Sequence, residues 1–182
     1  MSTTASRPPD EQNGAAPGPA GPLDSEAFVA GAQRITNSSS LDEALALFHE
    51  DCVAEWVFDG VCQRLRGIEA ITRAMDAMMG INRERKILGR KELICADADT
   101  IVNTWHGGFR GDDRQFGTEI WTLRDGLVVR HQMYMYLRVR SADSILGQLR
   151  MLLSAPRTAL TWFKHEQRAT RKPTSAGPGP HR

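Results

Sequence analysis

His131 is the side chain with the most chemical reach in this 182-residue chain. It stands in an apolar, β-branched and aromatic run, LVVRHQMYMYL, residues 127–137. An imidazole held in an apolar pocket can act as base or acid near neutral pH, because its unperturbed pKa is about 6.5. The plainer reading is a wall or core histidine bonded to one neighbour. His106 and Glu119 form a second candidate, a His–carboxylate dyad of the kind that orients a catalytic imidazole. The pair reads first as a cross-strand polar contact on an outer face, contributing roughly 0.2–1 kcal/mol. Asp59 precedes Gly60, where an aspartate is first of all a turn residue. Asn103 and Thr118 are neutral groups suited to orienting or polarising a substrate oxygen. His49, His106, His131 and His165 are scattered without paired ligand spacing. No metal is expected, and without a glycine-rich phosphate loop or dinucleotide fingerprint no cofactor is expected either.

Composition narrows the class. Hydrophobic residues make up 41% and charged residues 25% of the chain, values of an ordinary globular protein. No apolar run approaches the ~18 residues of a membrane span, and the first residues lack the apolar core of a secretory signal. A cytoplasmic location is the expectation. Cys52, Cys62 and Cys95 are too few for a disulfide scaffold and read as inert strand thiols. The near-neutral net charge of +1 hides an uneven distribution: residues 138–182 carry nine basic and two acidic residues.

Several elements must position these groups. Residues 1–23, rich in Pro, Gly, Ala and Ser, are expected to be a disordered tail, and residues 169–182 another. Between them lie a domain over 24–140 and a basic amphipathic helix over 141–168. Phe28, Val29, Ala32 and Ile35 recur at helical spacing. Ser40–Glu43 is a capping box opening a helix expected to stop near Glu50. Residues 52–58 and 61–66 flank Asp59-Gly60 as a hairpin. A helix follows over 68–79. Strands are then expected over 84–96, 100–110, 115–123 and 127–137, the last two joined by Asp125-Gly126. Helices and strands segregate, which argues an α+β fold with one curved antiparallel sheet and helices on one face.

LDEALALFHEDCVAEWVFDG, LRGIEAITRAMDAM and EIWTLRDGLVVRHQMYMY, in this order and spacing, carry a resemblance. The chain resembles the nuclear transport factor 2-like superfamily, in particular its SnoaL-like branch, over about residues 25–138. The resemblance implies a cone-shaped sheet enclosing a pocket, with the N-terminal helices packed on its concave face and the C-terminal helix as an extra. It also implies a face: His131 and Met133 line the concave side, together with Ala54, Trp56 and Phe58 of the first strand. A two-residue turn at Asp125-Gly126 then sets Ile120 against His131 and Thr118 against Met133. A turn centred on Asp112-Asp113 sets Trp105 against Ile120 and His106 against Glu119. The expected lining is therefore Trp56, Phe58, Trp105, Phe116, Thr118, Ile120, Met133 and Met135, with Asn103 and His131 among its polar groups and Asp59 beside its mouth. Registers can slip by one residue, which would exchange the faces and bring the His106/Glu119 pair inside.

The resemblance also marks departures. The first-strand aspartate of ketosteroid isomerases aligns with Trp56. The last-strand aspartate of limonene-epoxide hydrolases and SnoaL-type cyclases aligns with Met133. The epoxide hydrolases' first-strand Tyr and Asn align with Ala54 and Trp56. Two functions follow as expectations. One is a cofactor-independent acid/base enzyme of isomerase, cyclase, dehydratase or epoxide-hydrolase type, acting on a small apolar molecule, with His131 as general acid/base. The other is a non-catalytic ligand-binding or dimerisation module of the same fold. An outer sheet face with Trp121, Tyr134, Arg130 and Glu119 suits a homodimer. The basic helix reads as a packed lid before it reads as a peripheral membrane or partner contact. No nucleic-acid module is present.

Overall fold

The computed structural model describes residues 24–140 and 144–171. It divides at Leu137 into an N-terminal unit and a C-terminal unit that begins at Arg138. The tail expected over 1–23 lies outside the described residues, as do residues 172–182 of the tail expected over 169–182; residues 169–171 instead belong to the last helix.

The N-terminal unit is α+β. Helix α1 (Ser25–Ser38) is capped by Asp24, whose carboxylate accepts from the Ala27 amide at 3.0 Å. It buries Val29, Ala32 and Ile35 on one side. Ser40 caps α2 (Leu41–Leu45), accepting from the Glu43 amide. This helix is shorter than the sequence suggests, because the chain is recruited into β1 (Phe48–Phe58) two residues after Ala46. The Val128 amide donates to the Leu47 carbonyl at 2.8 Å, and Phe48 pairs with Val128. Asp59-Gly60 turns β1 into β2 (Val61–Arg66), both residues at positive φ. Val57 pairs with Cys62 as the turn requires.

Helix α3 (Ile68–Arg85) runs six residues beyond its expected end. Gly80 does not stop it; Lys86 does, in the left-handed region, with its amide bonded to the Arg83 carbonyl. Strands β3 (Ile87–Ala96), β4 (Thr100–Phe109), β5 (Gln115–Arg124) and β6 (Leu127–Tyr136) form the meander. The sheet order is β2-β1-β6-β5-β4-β3. Every junction is antiparallel except β1 with β6, which is parallel, so the sheet is mixed and remains open.

Two registers depart from expectation, and both involve β5. The β5–β6 ladder carries a bulge, so that Val129 is unpaired between Leu123↔Val128 and Thr122↔Arg130. Beyond it Trp121 meets His131, Glu119 meets Met133 and Gly117 meets Met135. The β4–β5 connection is a longer loop, with Arg110 and Gly111 at positive φ. It sets Trp105 against Gly117, Asn103 against Glu119 and Ile101 against Trp121. Each shift is odd in residues, so each exchanges faces. β4 and β6 keep the faces read from the sequence, and β5 alone is inverted. Phe116, Thr118 and Ile120 therefore lie on the outer face, paired with Tyr136, Tyr134 and Gln132. Glu119 and Trp121 are buried on the inner face and do not belong to the outer surface expected for a homodimer.

The core lies between the inner sheet face and the helices. Ile71, Met75 and Met79 of α3 pack with Val29, Ala32 and Ile35 of α1 against Trp56, Trp121, Val128 and Met133. α1 is tied to β3 by polar contacts: Asn37 exchanges two hydrogen bonds with the Gly89 backbone, at 2.9 and 2.8 Å. Gln33 accepts from the Lys91 amide at 2.6 Å. In the C-terminal unit α4 (Ile145–Ser154) and α5 (Pro156–Arg171) are in contact with each other, with Pro156 in the first turn of α5. No described helix is long and apolar enough to cross a membrane.

Candidate functional site

Period-2 alternation places Ile87, Gly89, Lys91 and Leu93 of β3 on the inner face. Asn103 and Trp105 of β4 share it with Gln115, Gly117, Glu119 and Trp121 of β5. Trp105 needs room to lie flat on that face. A Cβ at Gly117 would stand 2.3 Å from Trp105 Nε1, and one at Gly89 would stand 3.3 Å from its ring. The two glycines on the neighbouring strands leave the space the indole occupies.

These residues, with α3 and the ends of β1 and β6, enclose a cavity of about 360 Å³. That is the size of a small-molecule site. Its walls are mainly apolar: Trp56, Phe58, Trp105, Met133 and Met135, all expected from the sequence, face Ala74, Met78 and Ile81 of α3. Lys91 and Glu119 are the ionisable groups in the lining. Each side chain is only 5% exposed, and Lys91 Nζ donates to Glu119 Oε2 at 2.5 Å. Asn103 Nδ2 donates to the same oxygen at 2.9 Å. Asn103 Oδ1 in turn accepts from Trp121 Nε1 at 2.7 Å. Both bonds fall on Oε2, which leaves Oε1 without a protein partner and available to a ligand. Burial alone would raise the Glu119 pKa. The Lys91 ammonium, the His131 ring and the two hydrogen bonds outweigh it, so the carboxyl lies below its usual range and is ionised at neutral pH.

His131 sits behind this wall rather than in it. Its ring stacks on Trp121 at 3.8 Å and 12°, with Phe48 and Trp56 around it. Trp56 Nε1 donates to His131 Nδ1 at 3.1 Å. The neutral ring therefore carries its proton on Nε2, which has no hydrogen-bond partner. His131 lines a separate void of about 40 Å³ that shares Lys91, Glu119, Met78 and Met133 with the cavity. Burial pushes the pKa of His131 down to about 4; the Glu119 carboxylate opposes this and Lys91 adds to it. The imidazolium is thus scarce at neutral pH, and a proton exchange between His131 and a ligand in the larger cavity has no direct geometry.

The other sequence candidates separate. Asn103 is fully buried and acts on Glu119 and Trp121, not on the cavity. Asp59 caps the β1–β2 turn: its carboxylate accepts from the Leu137 amide at 3.3 Å and its own amide donates to the Met135 carbonyl. Phe116, Thr118 and Ile120 do not reach the cavity, because the Val129 bulge turns them outward. The His106/Glu119 dyad does not form: His106 lies outside against Phe116, ring centres 4.9 Å apart, while Glu119 lies inside. Sequence reasoning missed Lys91 as a site residue. The signal was present, since a lysine shares the alternation of Ile87, Gly89 and Leu93, but the partner that neutralises it was assigned to the other face. Among the described residues no cluster of His, Cys, Asp or Glu has the makings of a metal site.

Comparison with known proteins places the fold. A cystatin-like-fold protein from Methylobium petroleophilum superposes with a TM-score of 0.50 at 13% identity, over 66% of this chain and 80% of that one. The chain is also similar to a putative polyketide cyclase from Sinorhizobium meliloti, at 20% identity and TM-score 0.47, over 61% and 99% of the two chains. A third similar structure is the epoxide hydrolase/cyclase-like enzyme SalBIII of pyran ring formation in salinomycin, at 14% identity and TM-score 0.49, over 61% and 89%. No curated protein matches the chain. The SnoaL-like domain model matches residues 27–131, more than half of the sequence and all of the elements that build the cavity up to His131, so the chain belongs to the SnoaL-like domain family.

Proposed function

We propose that this chain is a cofactor-independent acid/base enzyme, of isomerase, cyclase, dehydratase or epoxide-hydrolase type, acting on a small apolar molecule in the cavity. One observation supports this above the others: an ionised carboxylate with one oxygen free and an ammonium group, both almost wholly buried, share one wall of a mainly apolar chamber. Glu119 Oε1 is the proton acceptor, taking a proton from a carbon acid or from an attacking hydroxyl. Lys91 Nζ stabilises the negative charge that develops on the substrate oxygen. Asn103 holds the carboxylate in place, and Trp121 holds Asn103. His131 supports Trp121 from behind as a positioning residue. Lys91 and Glu119 thus stand in for the strand carboxylates whose aligned positions hold Trp56 and Met133.

The test is turnover of a panel of apolar β,γ-unsaturated ketones, epoxides and tertiary alcohols by the purified chain. Glu119→Gln keeps the shape and both hydrogen bonds from Lys91 and Asn103 but removes the base. It is expected to lower turnover by roughly 10²–10⁴-fold while apolar ligands still bind. Turnover unchanged in this variant removes the assignment. Binding without turnover of any panel member supports the non-catalytic ligand-binding module instead.

A further inference from the structure

The cavity has a second polar end that the acid/base chemistry does not use. Gln115 lies on the inner face of β5, four residues before Glu119, and is 6% exposed. Asn82 lies on α3, is 9% exposed, and lines the same cavity from the opposite wall. Neither side-chain amide makes a hydrogen bond to another described residue, and neither is sealed away from the cavity. Buried amides in proteins are normally paired. Two unpaired ones facing one chamber are therefore unlike the rest of this core, where Asn103 and Gln33 are both bonded.

The two amides lie at one end. The last turn of α3 covers the Phe109 end of β4, with the Arg85 guanidinium 5.1 Å from the Phe109 ring centre. Asn82 is one turn earlier on that helix. Gln115 pairs with Gly107, two residues before Phe109, on the adjacent strand. Glu119 pairs with Asn103, four residues further along the same ladder. Four residues of strand separate the two ends by about 13 Å. Trp105 Nε1 lies between them, over Gly117, and it also has no acceptor among the described residues. The charged groups of the lining, Lys91 and Glu119, are both at the Glu119 end. A charged ligand group at the amide end would lose its water without gaining a counter-charge, whereas a hydroxyl or carbonyl oxygen would find both donors and an acceptor.

We propose that the cavity selects elongated, uncharged, mainly apolar molecules with an oxygen function at both ends, one at Glu119 and Lys91 and the other at Gln115 and Asn82. This rests on the reading of the Glu119 end as the reactive one. The distal amides fix which carbon of the ligand is presented to Glu119 Oε1, so they set positional specificity.

The probes are 1,10-decanediol and 1-decanol, which share a carbon chain and differ in one terminal hydroxyl. Binding to the full chain is followed by the fluorescence of Trp56 and Trp105, which line the cavity. The diol is expected to bind at least as tightly as the alcohol, although it is the better hydrated of the two. Gln115→Met and Asn82→Leu, made separately, remove one amide each at similar volume. Each is expected to weaken the diol by about 10-fold and leave the alcohol within about 2-fold. Thermal unfolding of each variant checks that it is folded, and the wild-type comparison does not depend on the variants. A wild-type protein that binds the alcohol more tightly, or variants that weaken both probes equally, would overturn the distal subsite while leaving the acid/base reading intact. Failure of both probes to bind would overturn the cavity as an apolar site and the subsite with it. Glu119→Gln is the separate control: it should lower turnover of the panel by the same roughly 10²–10⁴-fold without changing the dependence of diol binding on Gln115.

Discussion

On the inner face of β5, Gln115, Glu119 and Trp121 are each no more than 6% exposed. On the outer face, Phe116, Thr118, Ile120 and Thr122 alternate with them residue by residue and are half-buried. The inner set carries a carboxylate, an amide and an indole, and the outer set carries two threonines, a phenylalanine and an isoleucine. By composition alone the outer set looks like the better core. The inner set is nonetheless the one enclosed: the polar atoms of Glu119 and Trp121 find partners in Lys91 of β3 and Asn103 of β4, the Trp121 ring stacks on His131 of β6, and the Gln115 amide alone faces the cavity unpaired. A strand face is chosen by whether its polar atoms find partners as well as by hydrophobicity.

The sharpest way to break this comparison is to leave one inner charge alone. Lys91→Met removes the ammonium and strands the Glu119 carboxylate, which is expected to cost about 3–5 kcal/mol in urea unfolding. Lys91→Met combined with Glu119→Leu is expected to recover most of that loss, since a matched apolar pair replaces a matched ionic one. The outer pair makes the contrast. Arg64 and Glu55 meet at 3.1 Å with side chains 79% and 31% exposed, and Arg64→Ala should leave the urea midpoint almost unchanged. If the inner double variant is no more stable than Lys91→Met alone, the two inner groups are not a coupled pair.

The next effect is a dependence on pH. His131 is held near 4 in the folded chain against about 6.5 when exposed, so below pH 6.5 the unfolded chain takes up a proton that the folded chain does not. Folded stability is therefore expected to fall as pH drops from 6.5 towards 4, by up to about 3 kcal/mol. Glu119, with its lowered pKa, acts in the same direction: its contribution is present above the ordinary carboxyl range and is lost as pH falls through its folded value. His131→Phe should lower overall stability by removing the Trp56 acceptor, yet flatten the pH slope between 6.5 and 4. An unchanged slope in that variant would mean that His131 is not the buried neutral ring described.

Much of this arrangement was legible in the sequence. The spacing of Val29, Ala32 and Ile35, the Ser40 cap, the two Asp-Gly turns and the segregation of helices from strands gave the α+β architecture. For β1, β4 and β6, alternation groups the residues and the family resemblance chooses the inner face, which yields Trp56, Phe58, Asn103, Trp105, His131 and Met133. The face of β5 was not. A two-residue turn fixes register only until the first bulge, and Val129, a β-branched residue in a β-branched run, gives no local sign that it is unpaired. The loop after Phe109 shifted the other ladder by an odd number as well. The cost of these two slips was specific. With β5 read the other way round, the sequence offers His131 as the reactive group, because the Glu119 carboxylate is then expected to face outward. Gly89 and Gly117 are the available warnings: glycines on the two strands flanking β4 mark a place where a large side chain, here Trp105, crosses close to the backbone.

Gly117 and Thr118 carry the finest form of the comparison, since they are sequence neighbours on opposite faces. At Gly117 a methyl group would stand 2.3 Å from Trp105 Nε1, 2.8 Å from its Cδ1 and 3.1 Å from the Tyr134 carbonyl oxygen. Towards β3 the room is small, since a single Cβ added at Gly89 would stand 3.3 Å from the ring. Gly117→Ala is therefore expected to push Trp105 into the cavity and to cost about 1–3 kcal/mol. Diol binding should weaken with it. Trp105→Leu in the Gly117→Ala background should restore stability, because the smaller side chain vacates the contact. Thr118→Ala, one residue on, removes a methyl and a hydroxyl from the half-buried outer face and should change stability by no more than about 0.5 kcal/mol, with no effect on ligand binding. Equal costs at the two positions, or a loss of binding from Thr118→Ala, would mean that β5 presents its other face to the cavity, and the assignment of Glu119 would fall with it.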